Sequence, residues 1–293
     1  MSSTPTTGTV GSVLVGLLAA AEPGGVGYAY LDELAKREIR RAALTAVAVP
    51  GYQVPFASRE MPVARGWGSG GLQLTLALVG PDDVLKVYDQ GDDAGVNAAN
   101  LRRLVVDVTG VETTTDAREA TLVQTRHRIP EDPLGDGQVL VLQVPVPEPL
   151  RGVERDMREL RRMHAEADYS RMWVSLYEDK VRHGMITQTT GYPVLVGGRY
   201  VMATTPIPRW DVPKLHRAGY LSLFGAGREK RIYAVPPHTD VEPLTFDDVA
   251  FEVERTAGAA CRRCGATEAY LVEVPGDATW QCSDTDWCGR RTA

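Results

Sequence analysis

The chain has 293 residues, 43% hydrophobic and 24% charged, long enough for one large core and unlike a disordered or fibrous polymer. Its net charge of -6 and pI near 5.5 exclude bulk attraction to nucleic acid or anionic lipid, so an anionic ligand must be met by local basic clusters. Its cysteines, Cys261, Cys264, Cys282 and Cys288, all crowd the C-terminal end, which is unlike the distributed framework of a disulfide-stapled secreted protein and predicts a reducing cytoplasm.

Residues 1–24 read as an N-terminal extension, disordered or bound to a partner. Val10 to Ala21 is apolar, yet no Lys or Arg precedes Lys36, so the charged start of a signal peptide is missing, and the run is too short to span a bilayer. From Tyr30 to Val49 the periodicity predicts a helix, with Leu31, Leu34, Ala35, Ile39, Ala42, Ala43 and Ala46 on one broad face. Pro50-Gly51 ends it. Gly51 is then either a helix C-cap or a radical site, since an alpha carbon without a side chain can become planar and share spin with both adjacent amides.

Gly66 to Gly71 reads as a loop, and the alternation of Leu72, Leu74, Leu76 and Leu78 with Gln73, Thr75 and Ala77 predicts a strand with one buried face. Gln124 to Glu131 places His127 between Arg126 and Arg128, a run that suits multiply charged phosphate or, more blandly, a solvated basic strand end. Val139 to Val146 predicts a second strand, stopped by Pro145, Pro147 and Pro149. Residues 152–184 read as two amphipathic helices broken near Tyr169-Ser170.

Tyr192 to Val196 and Arg199 to Met202 flank Gly197-Gly198 and predict a tight hairpin. Pro206, Pro208 and Pro213 predict a long irregular surface segment. Phe224 to Arg231 reads as a glycine-bearing loop followed by Arg228, Lys230 and Arg231. It is a generic anion site that lacks the dinucleotide and nucleotide-triphosphate fingerprints. His164, His183, His216 and His238 are isolated and read as structural or exposed, and no G-x-S-x-G elbow occurs.

The cysteine spacing is C-x2-C-x17-C-x5-C. Two close pairs facing each other can wrap one soft ion. The spacing alone leaves structural zinc and an iron-sulfur cluster both open, because three cysteines suffice for a 4Fe-4S cluster with one iron free and the fourth thiol is then available to react. Arg290 and Arg291 favour a thiolate at Cys288, while Asp284 and Asp286 oppose it. These elements predict an α+β fold: a main domain over 25–255 with a mixed or antiparallel sheet and flanking helices, and a small cysteine-bound metal subdomain over 256–293.

Together, Tyr-Leu-Asp-Glu at 30–33, Pro50 to Phe56, Gln124 to Glu131, Leu176-Tyr-Glu-Asp179, Phe224 to Pro237 and Cys282-Ser-Asp-Thr-Asp286 resemble the catalytic J subunits of bacterial carbon-phosphorus lyase, covering nearly all of Gly27 to Cys288. The resemblance implies cleavage of ribose 1-methylphosphonate 5-phosphate to methane and a ribose 1,2-cyclic phosphate 5-phosphate. It implies a 4Fe-4S cluster on Cys261, Cys264 and Cys282 that cleaves S-adenosylmethionine, a radical glycine at Gly51 and a substrate-attacking thiol at Cys288. The x17 gap is a few residues shorter than the family's familiar form. Companion core subunits and an ATP-binding-cassette subunit are the implied partners. Physical argument alone adds Arg126, His127, Arg228, Lys230 and Arg231 as phosphate and phosphonate ligands. Zinc can replace the cluster and recruit Cys288 as a fourth ligand. A non-catalytic zinc-binding assembly subunit is the competing reading.

Overall fold

The computed structural model describes residues 31–56, 70–126, 128–143, 156, 158–159, 162, 191–204, 212–226, 231–243, 258–267, 269, 271–282 and 285–292. Helix α1 (Glu33–Ala48) begins where Asp32 caps it, its side chain accepting from the Ala35 N–H at 2.8 Å. Its buried face is Ile39, Ala42, Ala43 and Ala46, as the periodicity predicts, except that Leu34 points to solvent at 69% exposure.

The segment expected to be a strand at Leu72 to Leu78 is instead helix α2 (Gly70–Leu78), which also takes in Gly70 and Gly71 of the expected loop. Every residue of α2 is buried, Gln73 and Thr75 included, so the helix has no polar face to print a 3.6-residue period on the sequence. Helix α3 (Val96–Thr109) follows later and closes on Gly110 at φ +70°.

The strands run in chain order β1 (Val54–Pro55), β2 (Val84–Val87), β3 (Glu112–Thr113), β4 (Leu122–Arg126), β5 (Val139–Gln143), β6 (Gly191–Val196) and β7 (Arg199–Thr204). After the short helix α4 (Val212–Leu215) come β8 (Leu221–Ala226), β9 (Arg231–Val235), β10 (Val241–Pro243), β11 (Leu271–Glu273) and β12 (Trp280–Cys282), then helix α5 (Thr285–Arg290). The main sheet has the order β1-β9-β8-β5-β4-β2-β3 and is mixed: β8, β5, β4, β2 and β3 are parallel, with β9 antiparallel at one side. A three-stranded antiparallel sheet, β10-β6-β7, and a two-stranded one, β11-β12, complete the described strands.

Side chains alternate across the main sheet and build two cores. Leu85, Leu122, Val139, Val141 and Leu223 pack under the helices, while Val123, Leu140, Leu142 and Phe224 pack against Val194, Val196 and Val201 of the small sheet. The result is three layers: helices, main sheet, small sheet. Within the small sheet the predicted hairpin forms, Val196 pairing with Arg199 across Gly197 and Gly198 at φ +55° and +76°.

Three other expectations shift. The expected strand at 139–146 runs from Val139 to Gln143, its remainder lying outside the described residues. Pro213 sits in α4 rather than in an irregular segment, because the early positions of a helix need no N–H. Phe224 to Ala226 complete β8 and Arg231 opens β9, so these positions of the expected glycine loop are strand, and 227–230 lie outside the described residues. Gly225 is in that strand because backbone passes over it: a Cβ there would lie 2.6 Å from the Gly70 carbonyl carbon. Likewise a Cβ on Gly71 would lie 2.8 Å from the Gln143 backbone, and the Gly71 N–H donates to the Gln143 side chain.

The helices expected in 152–184 fall almost wholly outside the described residues. Among the described residues no helix is long and apolar enough to cross a membrane. Gly71→Ala and Gly225→Ala are each expected to lower stability in urea melts by about 1–3 kcal/mol through overpacking. Gly135→Ala, with its nearest neighbour atom at 3.9 Å, should stay within about 0.5 kcal/mol.

Candidate metal centre

The cysteine region folds around its own small core of Cys261, Ala266, Ala269, Cys282 and Cys288. Its first two ligands come from a tight turn, in which the Gly265 N–H reaches the Cys261 carbonyl at 2.8 Å and the Cys261 N–H reaches the Ala266 carbonyl at 2.9 Å. Gly265 makes the turn possible at φ +72°. The Arg262 N–H donates to the Trp280 carbonyl at 2.8 Å, which ties the turn to β12, whose last residue is Cys282. Cys288 arrives separately, on α5.

All four sulfurs lie within 4.8 Å of one another, with Cys261–Cys288 at 3.6 Å and Cys264–Cys282 at 3.5 Å. A tetrahedral ion with metal–sulfur bonds of about 2.3 Å sets its sulfurs about 3.8 Å apart, close to this spacing. A four-iron cube spreads its thiolates to roughly 6 Å, so it fits these soft donors in kind but requires the sulfurs to part and Cys288 to withdraw.

Electrostatics shows why a cation belongs there. Burial opposes ionisation of Cys261, but backbone N–H groups of Cys264, Cys282 and Arg263 aim at its sulfur and bring it down to about 6. The Arg263 and Cys282 N–H groups stand 3.4 Å from it. Burial and then the neighbouring sulfurs push Cys288 up to about 12, and Cys282 is raised for the same reasons. One thiolate therefore suppresses the others until a positive ion reverses the balance.

The other expected site residues separate. Arg126 ends β4 almost fully buried and holds Asp89 through two parallel contacts, Nη2 to Oδ2 at 2.8 Å. It is thus a paired, ordering charge rather than a solvated strand end. Arg231, also buried, opens β9 opposite Pro55. His127, Arg228 and Lys230 lie outside the described residues, as do His164 and His183. His216 accepts from the Val241 N–H at 3.0 Å, and His238 is exposed.

Gly51 is buried just past α1 at φ +76°, where a Cβ would meet the Arg199 Cβ at 2.5 Å and the Val196 carbonyl at 2.9 Å. No side chain fits this position, whether as a left-handed helix terminus or as a radical carrier. It enters β1, whereas α5 lies against the β2 end of the sheet. Five strand spacings separate β1 from β2, about 24 Å at the usual interval of about 4.8 Å.

Sequence reasoning missed the acidic turn after β2. Asp89 and Asp92 bridge around Gln90 and Gly91 at φ 56° and 86°, and a cleft of about 580 Å³ opens between this turn and the cysteine region, lined by Asp89, Asp92, Asn97, Gln281, Cys282 and Thr285. Asp89 and Arg126 are 37 positions apart, so only the density of acids at 89–93 marks the place. Because Cys282 and Cys288 hold their protons without metal, zinc binding at pH 7 is expected to release at least those two protons and to tighten as pH rises. Calorimetry in buffers of differing ionisation enthalpy checks this, and proton release should fall in Cys288→Ser.

Residues 25–293 match the family described as phosphonate metabolism protein PhnJ. The chain is 56% identical over 270 residues to the alpha-D-ribose 1-methylphosphonate 5-phosphate C-P-lyase of Rhizobium meliloti (strain 1021), covering 91% of each chain. It is 54% identical over 276 residues to the Escherichia coli (strain K12) protein described as alpha-D-ribose 1-methylphosphonate 5-phosphate C-P lyase, covering 93% of this chain and 98% of that one. With the family match extending over the sheet, the acidic turn and the cysteine centre alike, the chain belongs to the PhnJ family of phosphonate metabolism proteins.

Proposed function

We propose that this chain is a carbon-phosphorus lyase that releases methane from ribose 1-methylphosphonate 5-phosphate, leaving a ribose 1,2-cyclic phosphate 5-phosphate. The observation that carries the reading is the 54–56% identity, over more than nine-tenths of the chain, to two proteins named for cleaving that substrate. The chemistry demands an unusual route. Heterolysis of the bond would expel a methyl carbanion, and proton transfer alone cannot lower such a barrier enough.

A one-electron path avoids the carbanion. Gly51 gives up an alpha hydrogen and stores the spin, then regains a hydrogen atom from the Cys288 thiol. The resulting sulfur radical adds to phosphorus as the carbon-phosphorus bond breaks homolytically, and the methyl radical takes the alpha hydrogen of Gly51 to leave as methane, which restores the spin to the glycine. The ribose 2-hydroxyl then displaces sulfur from phosphorus, its proton passing to the departing sulfur, which closes the cyclic phosphate and returns the Cys288 thiol. Cys261, Cys264 and Cys282 would hold the 4Fe-4S cluster, which supplies the electron for cleaving S-adenosylmethionine. Arg126, His127, Arg228, Lys230 and Arg231 are proposed to hold the substrate's phosphate and phosphonate.

Hydrogen transfer works only near contact. Gly51 and Cys288 must therefore be brought together by rearrangement within an assembly, and we assign that role to the companion core subunits and the ATP-binding-cassette subunit, in the cytoplasm. A second reading, a non-catalytic assembly subunit with structural zinc, draws support from the closed spacing of the four sulfurs.

Gas chromatography of methane from the anaerobically reconstituted complex separates the two. Cys288→Ala should lower release by at least about 10³-fold. Gly51→Ala should do the same, but its forced φ and its contact with Arg199 also threaten folding, so protein carrying carbon-13 in glycine should additionally broaden the radical's resonance signal. Persistent zinc, no acid-labile sulfide and no methane would establish the assembly reading instead.

A further inference from the structure

Cys288 depends for its position on residues that touch no sulfur. Helix α5 has six residues, too few to persist by its own hydrogen bonds. Thr285, Asp286 and Arg290 fasten it to the main sheet. The Thr285 hydroxyl donates to Asp93 Oδ1 at 2.8 Å, while the other oxygen of Asp93 accepts from Lys86 Nζ at 3.0 Å. Lys86 is 1% exposed and also donates to the Thr115 carbonyl, lies 3.9 Å from Asp286 and sits 4.6 Å from the centre of the Tyr88 ring. Arg290 meets Asp116 at 3.3 Å, Asp132 and Asp286, and Asp132 takes a hydrogen bond from the Tyr88 hydroxyl at 2.6 Å.

We propose that the buried Lys86–Asp93 pair is a positioning device for Cys288: it seats α5 on the end of β2 and so sets whether the centre holds its metal with four thiolates or with three. Asp93 is the shared element, one oxygen fixed by the strand's cation and the other presented to the first residue of α5. Removing either partner alone strands a buried charge, so the pair is best removed together. The other three sulfurs do not depend on it, because the turn and β12 are tied to each other by backbone hydrogen bonds. The inference holds for any thiophilic ion and stands apart from the lyase reading.

The test uses the full-length chain with cobalt(II) under anaerobic conditions. In the unaltered protein the sulfur-to-cobalt charge-transfer band should have the intensity of four thiolates, and Cys288 should resist iodoacetamide. The double variant Lys86→Met, Asp93→Leu removes both charges together, which buried pairs tolerate far better than loss of one. It should bind cobalt about 10- to 100-fold more weakly. Its charge-transfer band should lose about a quarter of its intensity, and alkylation mapped by mass spectrometry should fall on Cys288 alone. Thr285→Val, which deletes one hydrogen bond from the helix side, should weaken cobalt binding about fivefold and expose Cys288 in the same way, and it serves if the double variant does not fold. A folded variant of either kind that keeps the four-thiolate band and a protected Cys288 overturns the proposal.

Discussion

The constraint from which the rest follows is that the parallel strands β2, β4, β5 and β8 are buried on both faces. Leu122, Val139, Val141 and Leu223 must be covered by helices, and Val123, Leu140, Leu142 and Phe224 by the β10-β6-β7 sheet, because each exposed set would forfeit about 25 cal/mol for every Å² of apolar surface. With both faces taken, ligands can approach only at the ends of the strands. Parallel pairing sends the C-terminal ends of all four to the same edge.

At that edge the strands change character. Apolar positions give way to Gln124, Arg126, Arg128 and Gln143, all buried, with Asp89, Asp93 and Asp132 in the adjoining turns. Burying such groups is costly unless each finds a partner, and the partners are mutual: Arg126 with Asp89, Lys86 with Asp93, Tyr88 with Asp132, Arg128 with Glu131 at 3.6 Å. The polar edge is therefore a rigid frame, and the cysteine region rests on part of it.

What the sequence discloses of this is set by how far apart the interacting residues lie. Helix α1 and the β6-β7 hairpin are legible because their signals are local: a 3.6-residue stripe ended by Pro50-Gly51, and two glycines whose positive φ angles build the turn. Helix α2 is not legible, since burial all round erases its period and leaves an accidental alternation of leucine with Gln73, Thr75 and Ala77. The strand identity of Phe224 to Ala226 is hidden by Gly225, which looks like loop chemistry but serves the passage of Gly70 and Gly71. The four ligands are legible from spacing, whereas the acids that seat α5 are not, because Asp93 and Thr285 meet across 192 positions with no motif joining them.

The unequal cysteine spacing then acquires a physical meaning. A second close pair would have placed all four ligands on one self-contained ribbon, a closed site whose sulfurs are spent on the metal. Five intervening residues instead carry Cys288 off the end of β12 and onto a helix attached to the main sheet. Three of the four sulfurs thus belong to the cysteine turn and β12, and the fourth to a helix fastened to the main sheet. A metal held by all four sulfurs would bridge those two bodies, while the turn that carries Cys261 and Cys264 is closed by its own backbone hydrogen bonds.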